Sequence, residues 1–210
     1  MKNFILLLIC ILGVNLTFAQ IKAVTETGEE VLLYPYGTWE YLNNSDIADT
    51  DIPTNPKLFK KEDASTFLVK SNIMNIGVWI NPKEWSFEKS KDNSDFEYNF
   101  QLKGGSLYGA IITEKIEIPL LTLKSLAVEN AKKVAPDMRI VKEEYRNVNG
   151  LNVLLLKMDG TTQGVKFTYY GYYYSNSKGT VQFITYTSQN LMDEYLLKCE
   201  KLLNGLVEIH

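Results

Sequence analysis

One eight-residue run, Phe167-Thr168-Tyr169-Tyr170-Gly171-Tyr172-Tyr173-Tyr174, constrains this chain more than any other segment. Its aromatic content predicts a strand, and on a strand Tyr170, Tyr172 and Tyr174 share one face. Phe167, Tyr169 and Tyr173 then share the other. A sheet wetted on one side alternates aromatic with polar residues, so this strand asks for cover on both sides. One reading sandwiches it between layers, with the phenol groups reaching hydrogen-bond partners at the sheet rim. The other makes Tyr170, Tyr172 and Tyr174 an exposed platform for a sugar, a peptide or a partner loop. The sandwich is the favoured reading, and the platform marks those three tyrosines as the candidate ligand- or partner-binding residues.

The surrounding sequence supplies the layers. Arg139 to Val148 and Leu151 to Met158 read as strands on either side of Asn149-Gly150, a strong hairpin signal. Val165 to Tyr174 and Thr180 to Thr187 form a second hairpin. Upstream, Phe67 to Val69, Ile76 to Ile80, Trp85 to Phe87, Phe96 to Phe100 and Leu107 to Lys115 read as further strands. Leu120, Leu123, Ala127, Ala131 and Val134 recur at helical spacing between Pro119 and Pro136. A last helix carries the stripe Met192, Tyr195, Leu196, Cys199, Leu202, Leu203 and Leu206. Asn190 is its expected N-cap and Asn204-Gly205 its stop.

Residues 1–19 read as an export signal. Lys2 precedes an apolar stretch from Phe4 to Leu16, and Thr17-Phe18-Ala19 provides the small residues of a cleavage site before Gln20. No integral membrane segment is expected after cleavage, and the periplasm is favoured over the extracellular medium. Residues 20–42 read as a small β-meander, which resembles a Gly-Thr-Trp strand module found after the signals of exported bacterial proteins. Residues 43–61, rich in Asn and Asp and holding Pro53 and Pro56, read as a linker. The main domain is expected over residues 62–210.

Charge and composition restrict the chemistry. With 22 Lys and Arg against 25 Asp and Glu, a net charge of −3, there is no basic footprint for nucleic acid. Cys10 departs with the signal, leaving Cys199 on an apolar helix stripe, where a buried structural thiol is expected. The single histidine is His210, the final residue. No His-based metal site, Ser-His-Asp triad or Cys-His pair is therefore expected, and neither is a cofactor. Glu143 and Glu144 are neighbours on a strand and point to opposite faces. Asp193 and Glu194 fall in the first turn of a helix, where acids suit the dipole. These carboxylates do not form a catalytic pair, and the chain is read as a non-enzyme.

The order of strands, helix, strands and helix, the turn Ile80-Asn81-Pro82-Lys83-Glu84-Trp85, and the hairpin with amphipathic helix from Tyr172 to Leu206 together carry a resemblance. Over residues 65–207 the chain resembles the PsbP-like α/β/α sandwich family. That family includes the extrinsic photosystem II subunit, the yeast Ran-guanine-nucleotide release factor and bacterial relatives of unknown function. The resemblance implies an α+β fold, an antiparallel sheet flanked by helices, and action through protein partners, but it transfers no functional residue. The expected function is an exported, non-catalytic binding or accessory module of the bacterial envelope, with a protein or small-molecule partner that is not identified. A carboxylate-dependent glycan-acting hydrolase and a structural envelope component are the alternatives.

Overall fold

The computed structural model describes residues 21–25, 30–34, 37, 39–41, 52–90 and 96–209. The expected export signal, residues 43–51 of the expected linker and His210 lie outside the described residues. The strands in chain order are β1 (Ile21–Val24), β2 (Glu30–Leu33), β3 (Trp39–Tyr41), β4 (Thr54–Phe59), β5 (Phe67–Lys70), β6 (Ile76–Ile80) and β7 (Trp85–Lys89). They continue as β8 (Tyr98–Leu102), β9 (Tyr108–Glu114), β10 (Arg139–Val148), β11 (Leu151–Thr162), β12 (Val165–Asn176), β13 (Gly179–Ser188) and β14 (Leu206–Glu208). Helix α1 (Leu120–Val134) follows β9, and α2 (Met192–Leu203) follows β13.

Eight strands form the main sheet in the order β4-β10-β11-β12-β13-β9-β8-β7. Its centre is a meander whose turns are written in the sequence. Asn149 and Gly150 both take positive φ, 50° and 90°, as a two-residue type I′ hairpin requires. Gln163 and Gly164 repeat the device between β11 and β12, at φ 50° and 78°. Strands β14, β6 and β5 make a second, three-stranded sheet, and β1 to β3 make a third.

The main sheet is covered differently on its two faces. On one face, α2 delivers Cys199, Leu202 and Leu203, and β6 delivers Ile76, Val78 and Ile80, onto Leu155, Tyr170, Tyr172 and Phe183. On the other, Leu123, Ala127 and Ala131 of α1 pack with Leu154, Leu156, Met158 and Tyr173. Small residues along α1 let it lie close to the strands. Each fully buried Leu or Phe in these layers contributes about 1.5–3 kcal/mol.

Five expectations need correction. The sheet is mixed rather than antiparallel, because β4 runs parallel to β10. It is also only partly flanked by helices, since a three-stranded sheet shares the α2 side with that helix. The expected linker over 43–61 contains strand β4, with Ile52 and Phe59 buried. Asn55 and Pro56 disguise that strand in the sequence, and Pro56 is tolerated because an edge strand has only one neighbour to satisfy. The last helix ends at Leu203, so Leu206 belongs to β14 and pairs with Val78. Its cap residue is Leu191, because Gln189–Leu191 forms a 3₁₀ turn that absorbs Asn190.

Candidate functional site

The three tyrosines singled out by the sequence lie beneath α2. Tyr170 and Tyr172 are almost wholly buried and Tyr174 nearly so. Their hydroxyls are spent on the protein itself. Tyr170 donates to Glu200 Oε1 at 3.0 Å, and Tyr172 donates to Asn204 Oδ1 at 2.8 Å. The Tyr174 hydroxyl accepts from Asn176 Nδ2 at 2.8 Å.

Between these rings and β4 sits Arg146, only 3% exposed. Its Nε donates to Glu144 Oε1 at 2.6 Å, and one terminal nitrogen donates to the Tyr172 hydroxyl and Glu200 Oε1, both at 3.1 Å. The guanidinium also lies 4.3 Å from the centre of the Phe59 ring. Burial opposes its charge, but the neighbouring hydroxyls of Tyr172 and Tyr170 and the Glu144 carboxylate outweigh it and raise its pKa. Burial alone would likewise raise Glu144, yet hydrogen bonds from Arg146 and Asn55 prevail and hold it below the ordinary carboxylate value. Burial pushes the Tyr172 phenol up to about 12, so it stays neutral. This network is closed on itself. It fastens α2 and β4 to the sheet, and a substrate could enter it only by breaking it.

Cys199 belongs to the same layer. It is fully buried, and burial pushes its thiol up to about 11, which disfavours the thiolate that reactivity requires.

The α1 face is built otherwise. Helix α1 lies over the β11 and β12 side, and among the described residues no other helix covers β13, β9, β8 or β7 there. One register line crosses this open half: Tyr169 of β12 faces Tyr186, Tyr186 faces Tyr108, Tyr108 faces Gln101, and Gln101 faces Ser86. Side chains directly opposite one another on neighbouring strands share a face, so these five form a row across the sheet. The Tyr108 and Tyr186 rings stack with centroids 5.5 Å apart and planes 21° apart. Tyr169 meets Tyr186 edge-on at 6.0 Å, and Phe167 meets Tyr169 at 5.0 Å. Burial, and then each outward neighbour, raises the phenol pKa of Tyr169 and Tyr186. Tyr108, at the outer end, is 37% exposed.

Two hollows flank this row. Against α1 the surface sinks into a groove of about 740 Å³, with Ala127, Asn130 and Val134 on its helical wall and Ile112, Ile184 and Tyr173 below. Gly171 shapes that floor, because a Cβ there would come within 2.7 Å of Ile184 Cγ2 and 2.8 Å of the Phe183 carbonyl oxygen. The second hollow, about 350 Å³, lies over β7 and β8 and is lined by Ser86, Glu88, Asn99, Gln101, Tyr108 and Tyr186. Buried Glu97 steadies the rim of the larger groove. It accepts hydrogen bonds from Ser71 Oγ at 2.7 Å, from the Asn72 amide at 2.5 Å and from the Thr113 hydroxyl, fixing the turn that carries Ile73 to the groove.

The chain therefore offers an open aromatic surface, on the opposite side of the sheet from the tyrosines first singled out. Of the sequence's aromatic run, Phe167 and Tyr169 reach that surface and Tyr173 floors its larger groove, joined by Tyr108 and Tyr186 from other strands. Among the described residues, no cluster of His, Cys, Asp and Glu is arranged to hold a metal ion, and no helix is long and apolar enough to cross a membrane.

A layered sheet of this topology occurs in solved structures. Cyanobacterial PsbP (CyanoP) from Synechocystis sp. PCC 6803 superposes with a TM-score of 0.53 over 70% of this chain and 94% of its own, at 12% identity. The fold is PsbP-like. LpqN of Mycobacterium tuberculosis, described as involved in cell envelope biogenesis, covers 67% of this chain and 88% of its own, at TM-score 0.47 and 8% identity. A Pseudomonas aeruginosa protein of unknown function covers 67% and 95%, at TM-score 0.43 and 12% identity. No family model matches the sequence, and no curated protein matches it. The PsbP-like likeness locates the sheet and helices and carries no site residue with it.

Proposed function

We propose that this is an exported, non-catalytic binding module of the bacterial envelope that uses the open half of the α1 face. The N-terminal signal pattern supports export, with Gln20 as the first mature residue and residues 52–210 as the unit that carries the site. The observation that carries the binding reading is the row Tyr169, Tyr186, Tyr108, Gln101 and Ser86, which no described helix covers beyond the edge of α1. Aromatic rings in the open, beside hollows of about 350 and 740 Å³, fall in the size range of small-molecule sites, about 300–1,000 Å³.

Among the described residues two carboxylates border the surface, Glu88 on β7 and Glu114 on β9. They lie two strands and four residues apart by register, roughly 16 Å between Cα atoms at ordinary strand spacing. Glycan-cleaving carboxyl pairs stand about 5–10 Å apart, which speaks against that chemistry here.

The test is an amide-shift titration of the isotopically labelled mature chain with a panel of neutral sugars, short peptides, nucleotides and fatty acids. A member that perturbs β7, β8, β9 and β13 on the α1 side supports the reading. Perturbation confined to the α2 side, or none from any member, sinks it.

A further inference from the structure

The open face is chemically uneven, and its outer end carries a more specific reading that rests on the binding role proposed above. We infer that the hollow over β7 and β8 is a subsite for a neutral sugar, with the Tyr108 ring as its stacking platform.

Three features of the lining select that occupant. The first is the platform. One side of the Tyr108 ring is taken by Tyr186, at 5.5 Å and 21°, so its other side looks over Gln101 into the hollow. A half-exposed tyrosine offers a flat, electron-rich surface that suits the C–H face of a pyranose. The second is the rim. Ser86, Asn99 and Gln101 bring a hydroxyl and two planar amides to the same hollow, and Glu88 adds one carboxylate. The Ser86 hydroxyl donates to the Gln101 carbonyl at 3.2 Å and Asn99 Nδ2 to Ser90 Oγ at 2.8 Å, so these two side chains are held in place and offer chiefly acceptor oxygens. Amides and carboxylates are the groups that pair with neighbouring hydroxyls two at a time. The third is charge. Among the described residues no Lys or Arg lines the hollow, Glu88 contributes a carboxylate, and the whole chain is acidic.

That charge pattern turns away the other occupants. A phosphate, an acidic peptide or an anionic lipid head group would meet Glu88 with no cation among the described lining residues to offset it. An acyl chain would strip water from Ser86, Glu88, Asn99 and Gln101 without replacing their hydrogen bonds. An extended peptide is held chiefly through its backbone at a sheet edge, whereas the hollow lies over the face of β7 and β8, where β8 is paired on both edges and the lining presents side chains. A neutral, hydroxyl-rich ring satisfies platform, rim and charge together.

The experiment titrates the labelled mature chain with cellotetraose and chitotetraose, and in parallel with triglycine and with decanoate. The expected result is that one or both saccharides shift the amides around Ser86, Asn99, Gln101 and Tyr108. Tyr108→Phe should retain binding, while Tyr108→Ala should weaken it about tenfold, the upper worth of one ring contact. Gln101→Ala should weaken it too, and all three variants should keep the wild-type melting temperature. Saccharide binding that Tyr108→Ala leaves unchanged would overturn the platform assignment. If triglycine or decanoate perturbs this face and the saccharides do not, the sugar inference fails while the binding role stands. If none of the four perturbs it, and the wider panel is silent as well, both fail together.

Discussion

Strand β12 has aromatic side chains on both faces, and the two sets serve different ends. Toward α2, Tyr170 and Tyr172 are buried and hydrogen-bonded to Glu200, Arg146 and Asn204. Toward α1, Phe167 and Tyr169 are only half-buried and begin a row that continues through Tyr186 to exposed Tyr108. The residue types are the same; what differs is the layer above them. A helix and a second sheet share one face, whereas a single helix covers only part of the other. A tyrosine becomes cement when its hydroxyl finds a partner inside, and a contact surface when its ring is left at the edge of cover.

Substitution on the two faces should separate these roles. Tyr172→Ala is expected to cost roughly 3–5 kcal/mol in chemical denaturation, because it opens a cavity and leaves Arg146 and Asn204 short of a partner. A loss under 1 kcal/mol would mean the α2 face is not the stabilising one.

Cys199→Ser comes next, at about 1–3 kcal/mol, since it sets a hydroxyl among Leu202, Leu203 and the sheet. In the wild type the thiol should react slowly with a labelling reagent until the protein unfolds. Rapid labelling of the native state would show that α2 does not seal this face.

Acid should probe the same side. Glu144 has a folded pKa below its ordinary value of 4.5, so the unfolded chain takes up the proton first. Its contribution is present above that value and is lost as pH falls through the folded pKa. Glu144→Gln should therefore flatten the acid limb of a stability–pH curve. An unchanged limb would remove Glu144 from the network's role.

The smallest effect is expected on the open face. Tyr108→Ala should move stability by no more than about 0.5 kcal/mol, as at other surface positions. A cost comparable to that of Tyr172→Ala would erase the distinction between the faces.

Much of this arrangement was legible in the sequence, and the gaps have physical causes. Alternation on β12 separated its two aromatic sets correctly, because strand periodicity is local. Asn149-Gly150 announced a hairpin for the same reason. The sequence does not reveal that Asn149 also donates to the carbonyls of Asn204 and Leu206, both at 2.8 Å, and accepts from the Lys61 amide. That second role depends on segments far away in the chain. The open site was missed on similar grounds. Tyr108 and Tyr186 each sat on an expected strand, but nothing local says that β9 and β13 are neighbours. Strand β4 was hidden because one parallel edge pairing, with Pro56 inside it, leaves almost no alternating pattern to read.

That edge pairing also bears on when the molecule can fold. Strand β4 must wait for β10, and β6 must wait for β14, so Val78 meets Leu206 only when nearly all of the domain has been made. Pairings that span so much chain close slowly, because the loop entropy is lost before any contact forms. The hairpins of the central meander join neighbouring segments and can form early, whereas the sheet that closes over them is completed only once Leu206 has been made.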